Sequence, residues 1–192
     1  MPRALIAYST VDGHTLKICR RVQQVLQGLD CSVMLFDIGS DQVPDLAPFD
    51  IIVIGASVRY GKHRPALYRF IESHRESLDN KPSAFFSVSV VARKPGKDTP
   101  ESNPYVRAFR RKTTWAPMQV GVFAGTIDYP RYGFMDRQVI RAIMWLTNGP
   151  TDPAARTEFT DWQAVEAFAH RVSAGLRPAL ARRLPDTSGP AT

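Results

Sequence analysis

The segment 4–15 constrains the fold most, because an apolar strand there runs directly into a hydroxyl-rich turn and then into a helix. The strand is predicted over 4–8, and Asp12-Gly13 forms a tight turn in which Gly13 can adopt a positive φ. The helix that begins near His14 points its unpaired amides and the positive end of its dipole at this turn. Such a strand–turn–helix unit is typical of α/β folds, and it favours the binding of a phosphate group.

The turn itself indicates which phosphate would fit. Ser9, Thr10 and Thr15 offer hydroxyl donors. The turn lacks the Gly-x-Gly-x-x-Gly pattern of dinucleotide-binding folds and the Gly-Lys-Ser/Thr pattern of nucleoside triphosphate loops. A monophosphate held by hydroxyls and amides fits better, and the pattern predicts FMN. The alternative, an ordinary strand-to-helix turn with a Ser/Thr cap, stays open on these residues alone.

Strand patterns alternate with helix patterns along the rest of the chain, with short connections between most of them. The predicted fold is therefore α/β, a flavodoxin-like doubly wound five-stranded parallel sheet in the order 2-1-3-4-5, with insertions around strand five. Its ligand is expected between the carboxyl ends of strands one and three. The strands are predicted over 4–8, 32–38, 51–55, 83–91 and 120–124.

Three helices show apolar residues spaced along one face. The first places on that face Ile18, Val22, Val25, Leu26 and Leu29. The second is predicted over 65–78 and directs to the core Leu67, Phe70, Ile71 and His74. The last is predicted to begin at Thr160, with Thr160-x-x-Gln163 as a capping box. Its buried stripe consists of Trp162, Val165, Phe168, Ala169, Val172 and Leu176.

The length of 192 residues suits one domain, predicted over 1–176 and followed by a flexible tail over 177–192. The start leads straight into a strand, so no signal peptide is expected, and no apolar run reaches the roughly 18 residues of a membrane span. Two insertions are predicted: 92–117, with a basic helix near 105–112, and 126–147, with an apolar and basic helix over 139–146. The second helix would lie on a membrane surface, cover a hydrophobic ligand, or simply cover the sheet.

The formal net charge of +7 separates this chain from one-domain FMN electron carriers, which are typically acidic. A basic surface favours an anionic membrane, a carboxylate-bearing substrate or nucleic acid as a partner. Cys19 and Cys31 belong to no Cys-x-x-Cys pair, so both are expected to be reduced thiols of a cytosolic protein. The sequence shows no metal-ligand spacing, and no metal is expected.

Two loops that follow strands three and four are predicted to form the walls of the site beside the phosphate turn. In the loop 56–64, Tyr60 could stack on a flat ring, and Gly61 would let the backbone approach it closely. The loop 87–93 has no aromatic side chain, so the sandwich around a ring would be one-sided. The alternative is a pair of solvated loops, one of which carries an aromatic residue.

Basic residues that fall in these loops and insertions are predicted to form an anion-binding rim, with scattered solvated charges as the alternative. The members are Arg59, Lys62, His63, Arg64, Arg93, Lys94, Lys97, Arg131 and Arg137. His14 and His63 are candidate proton acceptors, whereas His74 and His170 lie on helices with no visible partner. The serine residues of the turn are interpreted as phosphate ligands rather than as nucleophiles.

Several segments resemble known proteins. Ser9-Thr10-x-Asp12-Gly13-x-Thr15 resembles the FMN phosphate loop of flavodoxins. The segments 54–61, 90–95, 129–132 (Tyr-Pro-Arg-Tyr) and 160–162 (Thr-Asp-Trp) are similar to the bacterial menaquinone-dependent protoporphyrinogen oxidases, flavodoxin-like enzymes of haem synthesis. The similarity extends over about residues 3 to 175, and it includes both insertions that a plain flavodoxin lacks.

The resemblance implies non-covalent binding of FMN by three segments. They comprise Ser9, Thr10, Val11, Asp12, Gly13, His14 and Thr15; Ala56, Ser57, Val58, Arg59, Tyr60 and Gly61; and Ser87, Val88, Ser89, Val90, Val91, Ala92 and Arg93. The substrate-binding residues expected from the rim are Arg59, Lys62, Arg93, Lys94 and Arg131. No catalytic acid or base is assigned.

The activity that the resemblance implies is oxidation of protoporphyrinogen IX to protoporphyrin IX, with electrons passed to menaquinone or ubiquinone. It places the protein in the cytoplasm, in peripheral contact with an anionic membrane surface, with no nucleic-acid partner and with a homo-oligomer as one option. The alternatives are a flavodoxin-type electron carrier, an NAD(P)H:quinone reductase of the same fold, and a flavin-free nucleic-acid binder. Bleaching of the flavin by NADPH alone would indicate the reductase, and a colourless protein would indicate the binder.

Overall fold

The computed structural model describes residues 1–40, 42–128, 138 and 156–181, with the side chains of the last stretch described over 157–175. Five parallel strands form the central sheet in the order β2-β1-β3-β5-β6, which confirms the predicted order of five parallel strands. Three short strands were not predicted: β4 pairs antiparallel with β3, and β7 and β8 form a separate two-stranded sheet. The strands are β1 (Arg3–Ser9), β2 (Ser32–Asp37), β3 (Ile51–Arg59), β4 (Lys62–His63), β5 (Ser83–Ser89), β6 (Gln119–Ala124), β7 (Thr126–Asp128) and β8 (Arg156–Glu158).

Helices cover both faces of this sheet. They are α1 (His14–Gln27), α2 (Pro65–Ser73), α3 (Arg75–Asn80), α4 (Pro104–Lys112) and α5 (Trp162–Ala181), with a 3₁₀ turn over Val90–Arg93. One core lies between the sheet and the pair α1 and α5, and it contains Ile6, Val53 and Phe86. The other core contains Leu5, Ile54 and Phe85. Neighbouring residues of one strand thus enter opposite cores, which explains why β1 and β3 are apolar along most of their length and why every residue of β5 is buried.

The insertion 92–117 is part of the second core. Phe109 of α4 stacks on Phe85 of β5, with ring centroids 4.1 Å apart. Asn103 caps α4, since its side-chain oxygen accepts from the amides of Tyr105 and Val106, and Pro104 occupies the first helical turn. The cap and the Phe109 contact together fix where Tyr105 lies.

Several predicted boundaries were wrong. The helix predicted over 65–78 is two helices, because His74 leaves the helical backbone and its Nδ1 lies 2.8 Å from the carbonyl oxygen of Phe70. The last helix begins at Trp162, and Asp161 rather than Thr160 caps it by accepting from the amide of Ala164. Thr160 instead donates its hydroxyl to the carbonyl of Ala124. Leu29 lies beyond the end of α1 and is exposed.

Other boundaries moved by a few residues. The predicted strand over 83–91 ends at Ser89, where the 3₁₀ turn begins. The strand predicted over 51–55 continues to Arg59, because Val58 and Arg59 pair with β4. The last helix continues to Ala181, and the division into a domain over 1–176 and a tail over 177–192 stays a prediction. The helix over 139–146, Arg131, Arg137 and residues 182–192 lie outside the described residues.

None of the helices that the structure describes combines the length and the apolar character needed to cross a membrane.

Gly55 of β3 provides a test of this packing, because a Cβ built there would overlap the ring of Phe86 on β5. We expect Gly55→Ala to lower the free energy of unfolding by about 1–3 kcal/mol, since the core cannot accept the extra methyl group without displacement. Urea unfolding followed by circular dichroism measures the change. Gly28→Ala is the matched control, because its Cβ would make only ordinary contacts at 3.5 Å. Equal midpoints for the two variants would contradict the packing described here.

Candidate functional site

A cavity of about 290 Å³ opens at the carboxyl edge of the sheet. It lies where β1, β3, β5 and β6 end, as the predicted fold requires. The residues that line it come from four segments that are far apart in the sequence. They are Thr10, Asp12, His14 and Thr15; Ser57, Val58, Arg59, Tyr60 and Gly61; Val88, Ser89, Val90, Val91 and Tyr105; and Gly125, Thr126 and Ile127.

One end of the cavity is the turn between β1 and α1. Gly13 has a φ of 82°, which confirms the predicted positive φ, and its amide donates to Thr10 Oγ1 over 3.1 Å. The amide of Lys17 donates to the Gly13 carbonyl oxygen and starts the hydrogen-bond ladder of α1. The amides of the helical residues before Lys17 precede that ladder, so they face an incoming ligand rather than a helical carbonyl.

Three buried hydroxyl groups have no hydrogen-bond partner among the described residues: Ser9 Oγ, Thr15 Oγ1 and Ser89 Oγ. Ser9 and Thr15 are each 1% exposed and Ser89 is 5% exposed. A buried hydroxyl without a partner costs roughly 1–3 kcal/mol, so such groups are rare in folded proteins. Two of the three flank the turn at the start of α1, and the third ends β5. Their placement is that of donors for a bound ligand with an anionic group at the α1 end.

An ion pair holds the turn against the neighbouring strand. Arg59 Nη1 of β3 lies 2.9 Å from both carboxylate oxygens of Asp12. The Arg59 guanidinium also lies 5.2 Å from the centre of the Tyr60 ring. The charge of Arg59 is thus balanced by Asp12, and the pair contributes shape to the cavity rather than net charge.

The predicted loop 56–64 is a hairpin, which corrects that expectation. Residues up to Arg59 belong to β3, and Tyr60 and Gly61 form the two-residue turn with φ of 49° and 75°. Positive φ at both central residues is typical of the tight turn that joins antiparallel strands. The hairpin holds the half-exposed Tyr60 at the cavity mouth, where the sequence predicted a ring-stacking residue.

The sequence analysis missed Tyr105, Gly125, Thr126 and Ile127 as cavity residues. Tyr105 gives the second side of the cavity the aromatic group that the loop 87–93 lacks. Gly125 follows directly on β6, so the rule that ligands bind at carboxyl ends of parallel strands could have found it. Tyr105 depends on the folding of α4 onto the sheet, which no local pattern indicates.

Some predicted site residues do not line the cavity: Ser9, Val11, Gly13, Ala56, Ser87, Ala92 and Arg93. Ser9 is buried beside it, and Gly13 sets the shape of the turn. Ser87 is fully buried and its Oγ lies 2.9 Å from His63 Nε2. Arg93 donates to the carbonyl of Val90 and lies over the ring of Phe159.

The two candidate proton acceptors have different environments. His63, predicted as a member of the anion-binding rim, is buried in edge contacts with Phe85 and Phe109 and does not line the cavity. Burial, with a smaller effect of the Lys112 charge, lowers the pKa of His63 to about 4. His14 does line the cavity, and burial lowers its pKa as well.

The structure describes all members of the predicted basic rim except Arg131 and Arg137. Lys62 and Lys97 are exposed and Lys94 is half-buried, whereas Arg64 donates to the carbonyl oxygen of Thr10 over 3.2 Å. Lys62 follows Gly61 of the hairpin turn and Lys94 follows the 3₁₀ turn, so both flank segments that line the cavity.

Comparison with known proteins gives a consistent result. The family model for the flavodoxin domain matches residues 5–154. The chain is 42% identical to the protoporphyrinogen IX dehydrogenase [quinone] of Leishmania major over 171 residues, which cover 88% of this chain and 73% of that protein. It is 38% identical to the protein of the same name from Escherichia coli strain K12, covering 89% of this chain and 94% of the relative.

Solved structures show the same fold. A short-chain flavodoxin associated with a non-canonical PDU bacterial microcompartment superposes with a TM-score of 0.52 at 15% identity, covering 92% of this chain and 99% of that one. The rubredoxin oxygen:oxidoreductase of the anaerobe Desulfovibrio gigas gives a TM-score of 0.52 at 12% identity, covering 93% and 37%. At these identities the likeness concerns the fold alone.

The buried His63 predicts a pH-dependent stability. Its pKa is lower in the folded chain than in the unfolded chain, so between about pH 6.5 and about pH 4 the unfolded chain binds a proton that the folded chain does not. We expect the free energy of unfolding to fall by about 3 kcal/mol across that window as the pH is lowered. Urea unfolding at several pH values measures this, and His63→Gln should remove that part of the dependence. His170→Gln, at an exposed position, is the control. A His63→Gln profile parallel to that of the wild type would refute the assignment.

Proposed function

This chain belongs to the flavodoxin-domain family and, within it, to the quinone-dependent protoporphyrinogen IX dehydrogenases, and we propose that it oxidises protoporphyrinogen IX to protoporphyrin IX with bound FMN and a quinone as electron acceptor. The observation that carries the proposal is the set of buried, unpartnered hydroxyls beside the free amides of α1. The phosphate of FMN would accept hydrogen bonds from these donors. Its flat ring would occupy the rest of the cavity.

The residues of the turn fit the phosphate of FMN. Ser9 and Thr15 would donate their hydroxyls, and the first amides of α1 would donate from the positive end of the helix dipole. Gly13 has no atom within 4 Å of the place where a Cβ would stand, so the turn is open on that side. The remaining residues predicted for this turn, Thr10 to His14, set its shape and its lining.

The flavin ring would lie between the hairpin turn and the segment that follows β5. Tyr60 and Gly61 would form one wall, and Ser89, Val90 and Tyr105 the other. Ser89 Oγ would donate to a polar atom of the ring, which explains its burial without a partner. When bound, FMN supplies the two-electron redox chemistry that no side chain of the cavity can supply.

The substrate carries two propionate groups on an apolar macrocycle, and the rim suits both features. Lys62 and Lys94 would bind the carboxylates at the mouth of the cavity, beside the apolar side chains of Val90 and Ile127. Arg59 and Arg93, which were also predicted to bind substrate, are engaged by Asp12 and by the Val90 carbonyl, so we assign them to shaping the site. Arg131 keeps its proposed role by resemblance.

Long-chain quinones reside in lipid bilayers. A protein that passes electrons to such a quinone must therefore bring its cavity close to a membrane surface. We therefore infer peripheral contact with an anionic membrane, which the net charge of +7 favours. Co-sedimentation with vesicles of anionic phospholipid at low salt tests this contact, and vesicles of neutral phospholipid are the control.

The experiment that tests the activity is an anaerobic assay of the purified yellow protein with protoporphyrinogen IX and a soluble quinone. We expect fluorescent protoporphyrin to form only when quinone is present, since the substrate loses its hydrogens in successive two-electron steps and each step needs an acceptor. A protein that holds FMN but produces no porphyrin would be an electron carrier. A flavin that NADPH alone bleaches would indicate a reductase, and either outcome would overturn the proposal.

The same assay tests the rim. The double variant Lys62→Gln/Lys94→Gln should raise the KM for the tetrapyrrole about tenfold and leave kcat close to that of the wild type, because the lost contacts bind substrate without taking part in the oxidation. Arg20→Gln, at an exposed position of α1, changes charge away from the cavity and should alter neither constant.

Thr15→Val separates the phosphate site from ordinary packing. Its Oγ1 has no partner among the described residues, so replacing the hydroxyl with a methyl group should leave the stability of the flavin-free protein unchanged or raised. The dissociation constant of FMN should rise by about tenfold, because one donor to the phosphate is lost. Thermal unfolding and quenching of flavin fluorescence measure the two quantities. Thr114→Val, at an exposed hydroxyl away from the cavity, should leave FMN binding intact. A destabilised flavin-free Thr15→Val protein with normal FMN affinity would show that the hydroxyl serves the fold.

A further inference from the structure

His14 is a titratable residue at the α1 end of the cavity, at the first position of the helix. Its Nε2 lies 2.6 Å from Thr160 Oγ1, in the segment between β8 and α5. A second contact ties α1 to the same part of the chain, because Lys17 forms an ion pair of 2.7 Å with Glu158 at the end of β8, and Glu158 also accepts from Trp162 Nε1. The imidazole is therefore held between two parts of the chain that are far apart in the sequence.

The hydrogen bonds of Thr160 fix the tautomer of His14. The Thr160 hydroxyl donates its one hydrogen to the carbonyl oxygen of Ala124 over 2.8 Å, so it can only accept from His14. Nε2 therefore carries a hydrogen, and in the neutral ring Nδ1 keeps a lone pair. A lone pair on a residue that lines an anion site repels the anion, whereas a proton on Nδ1 would turn the same atom into a charged donor.

The groups around His14 determine whether its Nδ1 is protonated before a ligand binds. Burial lowers the pKa of the ring, Glu158 of β8 opposes the shift, and Lys17 of α1 adds to it. Asp12, which shares the cavity, is neutralised by Arg59. Asp161 of the neighbouring segment accepts from an amide of α5. Without ligand the ring is neutral at neutral pH, and a phosphate dianion beside it would favour the protonated form.

We propose that His14 is a pH-dependent ligand of the cofactor phosphate: Thr160 holds the ring through Nε2, and Nδ1 takes up a proton from solvent and donates it in a hydrogen bond when FMN binds. The proposal rests on the proposed function in so far as FMN is the ligand. Because binding and protonation favour each other, the affinity for FMN rises as the pH falls through the range in which the bound ring gains its proton. The bond formed is a charge-assisted hydrogen bond, and no covalent or redox step is involved.

The test is titration of the flavin-free full chain with FMN at several pH values, followed by quenching of flavin fluorescence. Between about pH 8 and about pH 6 we expect the affinity of the wild type to increase about tenfold relative to that of His14→Gln, which keeps a polar side chain but cannot gain a proton. The comparison with the variant removes the titration of the FMN phosphate itself, whose second pKa is near 6 and which both proteins share. Calorimetry in two buffers of different ionisation enthalpy should show proton uptake by the wild type and less by the variant.

Further variants separate this role from a structural one. Thr160→Ser keeps the hydroxyl and should keep the pH profile of the wild type, whereas Thr160→Val removes the acceptor of Nε2 and should weaken the pH dependence. His170→Gln, at an exposed histidine, should behave as the wild type. Riboflavin, which has no phosphate, should bind more weakly and without proton uptake.

Two results would overturn the inference, and both differ from a failure of the proposed function. The first is equal pH profiles and proton counts for the wild type and His14→Gln, and the second is riboflavin binding with the same proton uptake as FMN. Failure of the proposed function would instead appear as no measurable FMN binding at any pH in the wild type, or as FMN binding without turnover of the tetrapyrrole.

Discussion

A parallel sheet buried on both faces is the constraint on which the other features of this protein depend. In β1, β3 and β5 the backbone polar groups are used by neighbouring strands, and the side chains on both faces enter an apolar core. Polar side chains that could bind a ligand are therefore found mainly where these strands end. Gly55 shows how closely the faces pack, because Phe86 occupies the space that its side chain would need. The cavity lies at the carboxyl edge, where the strands stop and the connections diverge.

The site holds polar groups that cost stability when no ligand is bound. Three hydroxyl groups of the described residues are buried without a partner, and the turn has a positive φ at Gly13. The unpartnered hydroxyls lower the stability of the ligand-free chain, whereas Gly13 adopts its positive φ without steric cost. A ligand that satisfies the donors would add its binding free energy to the stability of the folded state. The hydroxyls that lower the stability of the ligand-free chain are thus the donors proposed for an anionic ligand.

The sequence predicted the parts of the fold that local patterns encode. The strand order, the start of α1 at His14 and the positive φ of Gly13 follow from apolar runs and turn residues, and all three were correct. Errors arose where tertiary contacts decide. His63 was predicted to belong to the anion-binding rim, but the hairpin directs it into the core beside Phe85. Tyr105 reaches the cavity only because Phe109, four residues later on α4, packs on the sheet. No pattern of residue spacing in the sequence predicts the contact between Phe109 and the sheet.

The distribution of charge links the cavity to the proposed chemistry. The chain carries a net charge of +7, yet within the described cavity lining the carboxylate of Asp12 balances the guanidinium of Arg59. The interior therefore has little net charge of its own, and an anion at the α1 end would be held by hydroxyls, amides and the helix dipole rather than by a fixed cation. Lys62 and Lys94 do not line the cavity, but they follow chain segments that do, and they supply positive charge beside it. In the proposed function a nearly neutral interior would suit the apolar macrocycle and the quinone, and the positive charge beside it would suit the carboxylates of the substrate. In such a site the proposed protonation of His14 would have a large effect, because the described lining holds few other charges that oppose or replace it.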